Sequence, residues 1–352
     1  MVIPISQASY VQGPPKLEYN TGLAGLRGIL ALLVLFFHTG VPAIPGGARA
    51  VDMFFVLSGF LITGLLISEI EENGTIDYLG FLRRRKKRLL PPLLLFTLVY
   101  LAAANIFLPD DVAAFRWRDA FATLTYTYNW DLVLRPRLTG MGHMWSLALE
   151  GQFYLLWPIL FPYVYRAGRR AITILLSTFV LLTAFRIIGM ILLREDSSLI
   201  IYSLPGHSSG LVLGALLAFL PARPRWLGYL GVAGMAAFIL LPDRHDDFWG
   251  QMWTISVAEL SAAGLICGLV QYPQTWLNRA LSNNLLLALG GMSYEIYIWH
   301  FPFQRYSSDA SWIISSIFTL TFALLFASFS RWFFRASKRK NPGHFSLIVP
   351  EA

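Results

Sequence analysis

The sequence is poor in charge and almost free of cysteine. Only 14% of its 352 residues are charged, against roughly a quarter in an ordinary soluble domain. The single cysteine, Cys267, excludes an intrachain disulfide and a metal cluster held by cysteines. The sequence also lacks a Gly-x-Ser-x-Gly nucleophile elbow, a phosphate-binding loop and a zinc-ligand pattern, so we predict no bound metal.

Apolar residues make up 56% of the chain and are gathered in continuous runs of membrane-spanning length. Strands of a membrane barrel would alternate apolar and polar residues instead. We therefore predict an all-α polytopic membrane protein with about ten transmembrane helices. The predicted spans are 22–41, 49–70, 89–108, 143–164, 171–193, 199–220, 226–241, 251–271, 284–303 and 311–334.

Basic residues concentrate in one set of loops and tails, above all in the run Arg83–Arg88. The positive-inside rule places this set, and both termini, in the cytoplasm, with the helices in the cell membrane. The net charge of +8 follows this topology, so we expect membrane lipid and no nucleic acid as partner. The predicted organisation is an N-terminal segment at 1–20, a transmembrane domain at 21–335 and a basic tail at 336–352.

Residues His143 to Pro158 carry the most informative pattern, because Glu150 lies in their middle with apolar residues on both sides. A carboxylate at membrane depth is costly and indicates a functional site. His143 and Glu150 are seven residues apart, so they share a helix face, roughly 10 Å apart along the axis.

The first two predicted spans contain three further polar residues. Arg27 and His38 return to nearly the same helix face, about 16 Å apart along the axis. Arg27 is either a snorkelling arginine or a site residue, and His38 either a structural hydrogen-bond donor or a proton-transfer group. Asp52 either orients the imidazole of His38 or caps the second helix.

The basic run precedes the third span, and we predict that it is a cytoplasmic loop. A run of this kind usually sets topology or contacts anionic lipid. Arg85 and Arg88 are three residues apart, so on one helical turn they would clamp an anionic donor together. Both interpretations stay open at this point.

The ninth predicted span contains the run Ser293 to Pro302, in which Ser293 and His300 again share a face. Arg186 and Glu259 are further charges at membrane depth, which we interpret as structural or tunnel-lining. His207 stands alone, and a packing role is the expected one.

Five motifs, in this order along the chain, resemble those of the acyltransferase 3 family of integral-membrane O-acyltransferases. The resemblance covers roughly residues 18–335. The motifs are Arg27 with His38, Val51–Phe60, Arg85–Arg88, His143–Tyr154 and Ser293–His300.

The resemblance implies transfer of an acyl group, usually acetyl, from acyl-CoA to a hydroxyl of a sugar or of a macrolide-type small molecule. The family's arginine pair falls on Arg85 and Arg88, its first-helix arginine and histidine on Arg27 and His38, and its glutamate on Glu150. The chain ends soon after the last predicted helix, so we expect a member without the additional hydrolase-like domain.

Charge-based topology places five acidic and histidine residues in the outer half of the membrane, away from the basic run. They are His38, Asp52, His143, Glu150 and His300. We therefore expect a tunnel that takes the donor from Arg27, Arg85 and Arg88 to His38. There His38 would act as general base, with Glu150 or Asp52 holding its tautomer.

The remaining motif residues are expected to serve the acceptor side. His143 or His300 would stabilise the oxyanion or hold the acceptor, and Tyr294 and Trp145 would line the acceptor site. Direct transfer is the expected route, with an acyl-histidine intermediate as an alternative. A proton-coupled transporter using the same residues is the competing function. The sequence leaves acceptor, acyl chain and oligomeric state open.

Overall fold

The computed structural model describes residues 2–4, 19–107, 110–135, 140–193, 197–220, 224–240, 248–306 and 310–338. Most of the predicted N-terminal segment and basic tail lies outside this part of the chain. The described helices are α1 (Thr21–His38), α2 (Ala50–Asn73), α3 (Tyr78–Phe107), α4 (Asp110–Ala113), α5 (Arg116–Leu124), α6 (Tyr128–Leu134), α7 (Met144–Arg166), α8 (Arg170–Leu192), α9 (Ser198–Tyr202), α10 (Leu204–His207), α11 (Ser209–Phe219), α12 (Trp226–Leu240), α13 (Phe248–Gln271), α14 (Trp276–Leu281), α15 (Asn284–Gly291), α16 (Ser293–Tyr306) and α17 (Trp312–Lys338).

Strand structure in the described residues is limited to one short pair outside the helical body. Strand β1 (Val2–Pro4) pairs antiparallel with β2 (Thr75–Asp77), with Val2 opposite Asp77. The predicted all-α polytopic class is confirmed.

Six of the described helical stretches are long and apolar enough to cross a membrane. Two shorter apolar helices, Ser209–Phe219 and Trp226–Leu240, accompany them. The six stretches are Thr21–His38, Gly47–Asn73, Tyr78–Ala104, Arg170–Leu192, Met252–Gln271 and Trp312–Phe334. The count of ten spans and the cytoplasmic termini stay predictions.

Local capping explains where several helices begin and end. The side chain of Asn20 accepts from the backbone N–H of Leu23 at 3.0 Å and starts α1. The side chain of Asn283 accepts from Leu286 N–H at 3.0 Å and starts α15 in the same way. Gly74 ends α2 in the left-handed conformation, with φ of 67°.

Small residues bring the site-bearing helices into close contact. A Cβ at Gly59 of α2 would clash with the carbonyl oxygen of Leu211 in α11, and one at Gly25 of α1 with that of Leu281. Close backbone approach through small residues is the usual way in which membrane helices pack.

The predicted spans at 199–220 and 284–303 are wrong as continuous helices. The first is broken into α9, α10 and α11, because Ser203 caps α10 by accepting from Gly206 N–H at 3.2 Å, and Pro205 lies at its start. The second breaks at Met292, the C-cap of α15, and resumes at Ser293.

The basic run was predicted to be a loop, but it belongs to the first turns of α3. Lysine, arginine and leucine all have high helix propensity, so the helix begins well before the apolar run. Pro91 and Pro92 lie inside this helix. The stretch 109–142, between the third and fourth predicted spans, contains the short helices α4, α5 and α6.

Candidate active site

A cavity lies between α1, α2, α3, α7 and α16. Its walls are apolar along α2 and polar where the other helices meet. The polar lining residues are Arg27, Ser58, Arg85, Arg88, Ser146, Glu150, Tyr154, Ser293, Tyr294 and Tyr297. This combination of an apolar wall with a few converging polar groups is typical of a small-molecule site.

The basic run of α3 divides into two faces. Arg85 and Arg88 line the cavity and are partly buried, whereas Lys86 and Lys87 are exposed. The guanidinium of Arg85 lies over the Tyr154 ring, 5.6 Å from its centroid. The predicted i, i+3 pair therefore faces one space, and Arg27 of α1 joins it as a third cation.

Charge-based topology predicted that Glu150 lies away from the arginines, and this is wrong. Glu150 lines the same cavity as the three arginines. It interacts electrostatically with both Arg27 and Arg85. The hydroxyl of Ser58 in α2 donates a hydrogen bond to its carboxylate, and the Tyr154 hydroxyl donates to Ser58 Oγ at 3.4 Å.

Three histidines from three helices form a cluster that the sequence placed together only by depth. The ring centroids of His38 and His300 are 5.0 Å apart, and those of His143 and His300 are 5.2 Å apart. The ring of Phe301 stacks on His143, with centroids 4.9 Å apart. His143 and His300 are buried, and His38 is partly buried.

Each imidazole is held by a backbone carbonyl, which fixes the nitrogen that carries a proton. Nδ1 of His38 donates to Val34 O at 2.8 Å, because a carbonyl can only accept. In the neutral ring Nε2 of His38 then carries the lone pair that a general base needs.

His143 and His300 are held in the same manner. Nε2 of His143 donates to Ile298 O at 3.1 Å, and Nδ1 of His300 donates to Tyr297 O at 2.6 Å. Their other nitrogens, Nδ1 of His143 and Nε2 of His300, have no hydrogen-bond partner among the described residues. As lone pairs they can accept from a hydroxyl group.

The histidine cluster adjoins the cavity through two lining residues. The hydroxyls of Ser146 and Tyr297 are 2.6 Å apart, and Tyr297 donates to the carbonyl of His143 at 3.0 Å. Sequence reasoning missed both residues. A signal was present, since Ser146, Glu150 and Tyr154 follow at intervals of four along α7 and therefore share one face.

Asp52 pairs with His207 and not with His38, so the structure gives it a different partner from the predicted one. His207 Nε2 lies 2.6 Å from Asp52 Oδ1, and Arg49 lies 3.3 Å from Oδ2. Both members of the pair are 2% exposed. His207 Nδ1 donates to Ile201 O at 2.7 Å, and the ring lies 4.9 Å from that of Trp145. The lone histidine is thus a member of a buried polar pair, made possible by the helix break.

Arg186 and Glu259 form a buried ion pair, each 1% exposed, with Arg186 Nη1 3.3 Å from Glu259 Oε1. Arg186 also donates to Ser209 Oγ at 2.6 Å and to Ser256 Oγ at 2.8 Å. These serines add hydrogen bonds to the two terminal nitrogens of the guanidinium, as a buried pair requires, whereas Nε of Arg186 has no hydrogen-bond partner among the described residues. Of the two predicted roles the structural one fits, since neither residue lines the cavity.

Within the described residues, no group of three or more His, Cys, Asp or Glu side chains is arranged to hold a metal ion. The three histidines are held instead by backbone carbonyls, each through one ring nitrogen.

Comparison with known proteins gives a consistent answer. The relative O-acetyltransferase OatA of Staphylococcus aureus strain NCTC 8325 is 32% identical over 309 residues, which cover 81% of this chain and 50% of the relative. A second S. aureus protein, from strain MSSA476 and provisionally named an O-acetyltransferase, is 29% identical over 320 residues, 81% of this chain and 51% of that protein. The chain spans about half the length of the curated relatives it matches. No solved structure matches.

The family comparison covers nearly the whole of the described helical body. The model of the acyltransferase 3 family, described as an acyltransferase domain, matches residues 20–332. This range contains all five motifs that carried the resemblance, so the resemblance is confirmed, and the chain belongs to the acyltransferase 3 family of membrane acyltransferases.

Proposed function

We propose that this chain is a membrane O-acetyltransferase that moves an acetyl group from acetyl-CoA to a hydroxyl of a carbohydrate or glycosylated small molecule. One observation carries the proposal. A single cavity is lined by three arginines and adjoins, through Ser146 and Tyr297, a cluster of three histidines. The relatives are named O-acetyltransferases, which adds the acetyl group and the hydroxyl acceptor.

The donor end of the site is the arginine face of the cavity. The phosphates of CoA would pair with Arg85 and Arg88, whose guanidinium groups suit phosphate geometry. Arg27 would complete the cationic wall, and Glu150 would hold Arg27 and Arg85 in place. The uncharged pantetheine arm would then follow the apolar wall of α2 towards Tyr297 and the histidines.

The chemical step takes place at His38. Its Nε2 accepts the proton of the acceptor hydroxyl, and the oxygen attacks the thioester carbonyl carbon. Collapse of the tetrahedral intermediate breaks the C–S bond, and the leaving thiolate takes the proton back from His38. The Val34 carbonyl holds the imidazole tautomer, a task that the sequence had given to Glu150 or Asp52.

The acceptor would bind against His143 and His300. Their lone pairs accept hydrogen bonds from sugar hydroxyls, which bring the reacting hydroxyl to His38. Tyr294 lines the cavity, whereas Trp145 lies behind it, against His207. We assign Asp52 and His207 a structural role, which is to hold Trp145 in place behind the cavity.

The competing transporter function draws on the two broken helices, since discontinuous helices line the binding sites of many transporters. The family match favours acyl transfer. Uptake of solute into protein-loaded vesicles without any CoA would favour the transporter.

Mass spectrometry of surface glycans and small products, from cells with and without the chain, tests the proposal. The expected result is a mass increase of one acetyl group per modified hydroxyl, lost on mild alkaline treatment that cleaves esters. Purified protein given isotope-labelled acetyl-CoA and the unmodified acceptor so identified should transfer the label to it. Identical product masses in both cell types would overturn the proposal.

A further inference from the structure

Tyr126 occupies a backbone conformation that side chains rarely adopt. It follows α5 with φ of 55°, and among the described residues no other non-glycine residue has positive φ. Tyr126 N–H donates to Thr123 O at 3.2 Å and Thr127 N–H to Ala122 O at 2.9 Å, which is the Schellman ending of a helix. Glycine usually fills this left-handed position, because a Cβ is disfavoured there. Strain of this kind persists where surrounding structure imposes it, often at functional sites.

The ring of Tyr126 is held in place by this strained backbone conformation. It packs flat against Gly151 of α7, where a Cβ would clash with three carbon atoms of the ring. Gly151 directly follows Glu150, and Tyr126 interacts electrostatically with both Glu150 and Tyr294. The ring therefore packs on the turn of α7 that carries Glu150.

The backbone of Tyr126 is fastened to the same helix. The side-chain amide of Gln152 donates to Tyr126 O and to Asn129 Oδ1, each at 2.9 Å. Asn129 in turn donates to the carbonyl of Tyr202, at the end of α9, at 2.9 Å. The triplet Glu150-Gly-Gln152 thus has three tasks in succession: a site carboxylate, a space for the ring and a clamp for the turn.

We propose that Tyr126 is a positioning residue of the acyl-transfer site, whose ring packs on the turn of α7 that carries Glu150 and shields that carboxylate from water. The proposal rests on the proposed function for its effect on turnover. It rests on geometry alone for its effect on Glu150.

Kinetics of two variants separate the ring from the turn. Tyr126→Gly keeps the turn, because glycine adopts the left-handed conformation without strain, but removes the ring. We expect its kcat to fall by about tenfold or more, with the KM for acetyl-CoA within about twofold of wild type. Tyr126→Phe keeps the ring and should retain at least about half of kcat. Thr127→Ala, an exposed neighbour on the same turn, is the matched control and should behave as wild type.

Carbodiimide labelling gives a readout that does not need activity. A water-soluble carbodiimide with a glycine ester should modify Glu150 several times faster in Tyr126→Gly than in wild type or Tyr126→Phe, as measured by peptide mass spectrometry. Should Tyr126→Gly fail to fold, Gly151→Ala displaces the ring by its new Cβ and should give the same two changes.

An unchanged labelling rate, or a kcat of Tyr126→Gly within about twofold of wild type, overturns the proposal. A wild-type protein without acetyl transfer would refute the proposed function instead, and the labelling rate alone would then decide the role of Tyr126.

Discussion

At the scale of single residues, three of the described acidic groups at membrane depth have polar or charged partners. Glu150 has Ser58 and the arginines, Asp52 has His207, and Arg186 has Glu259. An isolated charge there would cost several kcal/mol, so pairing is a condition for folding. The histidines differ, since each donates one ring N–H to a backbone carbonyl. In the neutral ring the other nitrogen is then a hydrogen-bond acceptor.

The first prediction concerns His38. His38→Ala should lower kcat by about 10²- to 10⁴-fold, because the general base is lost, while the KM for acetyl-CoA changes little. Steady-state transfer of labelled acetyl from acetyl-CoA measures both constants. A kcat within about threefold of wild type would refute the assignment of His38 as base.

The pair of Asp52 and His207 gives a prediction about stability. Asp52→Asn and His207→Ala should each lower the free energy of unfolding by about 1–3 kcal/mol, because each leaves a buried polar partner unsatisfied. The double variant should lose less than the sum of the two single losses, since either change already breaks the contact. Thermal unfolding in detergent measures all three, and strictly additive losses would argue against a direct pair.

At the scale of elements, the helical state of the basic run decides its function. A loop would leave six basic side chains free to orient independently, whereas α3 sorts them by face. The breaks in the predicted spans 199–220 and 284–303 also position side chains. They allow His207 to reach Asp52 and place Ser293 at the cavity.

Substitutions on the two faces of α3 should therefore have different effects. Arg85→Gln with Arg88→Gln should raise the KM for acetyl-CoA by about tenfold or more, because two charge-assisted contacts to phosphate are lost. Lys86→Gln with Lys87→Gln removes as much charge from the exposed face and should leave that KM unchanged. Equal effects of the two double variants would indicate a general electrostatic or topological role for the run.

Two adjacent glycines at the end of α15 provide a test of helix packing. A Cβ at Gly290 would clash with the carbonyl oxygen of Ala24 in α1, whereas one at Gly291 would meet the end of the Arg331 side chain at 3.2 Å. Gly290→Ala should destabilise the protein by about 1–3 kcal/mol or more, since two backbones must separate. Gly291→Ala should be tolerated, because a long side chain can move aside. Yield and thermal unfolding of the purified variants compare them, and equal stability would contradict the packing of α1 on α15.

At the scale of the whole molecule, the architecture gathers helices that are far apart in the chain around one cavity. The arginines of α1 and α3 lie near the starts of their helices, and His38 ends α1. Arg27 and His38 are thus separated by about 16 Å along one axis, a large part of a bilayer. The arginines of the cavity and the histidine cluster therefore lie at two different depths along the helices.

We predict the sidedness of the protein from the distribution of its basic residues. In a Cys267→Ser background, Lys86→Cys should react with an impermeant maleimide only from the cytoplasmic side, and Thr125→Cys only from the opposite side. Both positions are exposed, so the reagent can reach them. Labelling of both from one side would refute the predicted orientation.

The class of the protein, most helix positions and the residues of each helix that share a face are predictable from the amino-acid sequence. These properties are local: apolar run length sets a membrane helix, and the 3.6-residue period aligns Arg85 with Arg88 and His143 with Glu150. The sequence also provided the motifs by which the family was identified.

Which helix faces meet, and where two predicted helices break, depends on contacts between residues far apart in the chain. Asp52 was expected at His38 because the two are close in the chain, yet its partner is His207, 155 positions away. Glu150 was expected far from the arginines, yet it lies among them. Loop charge reports the side of the membrane but not the depth or rotation of a helix, and these depend on close contacts such as Gly59 on Leu211 and Gly151 on Tyr126.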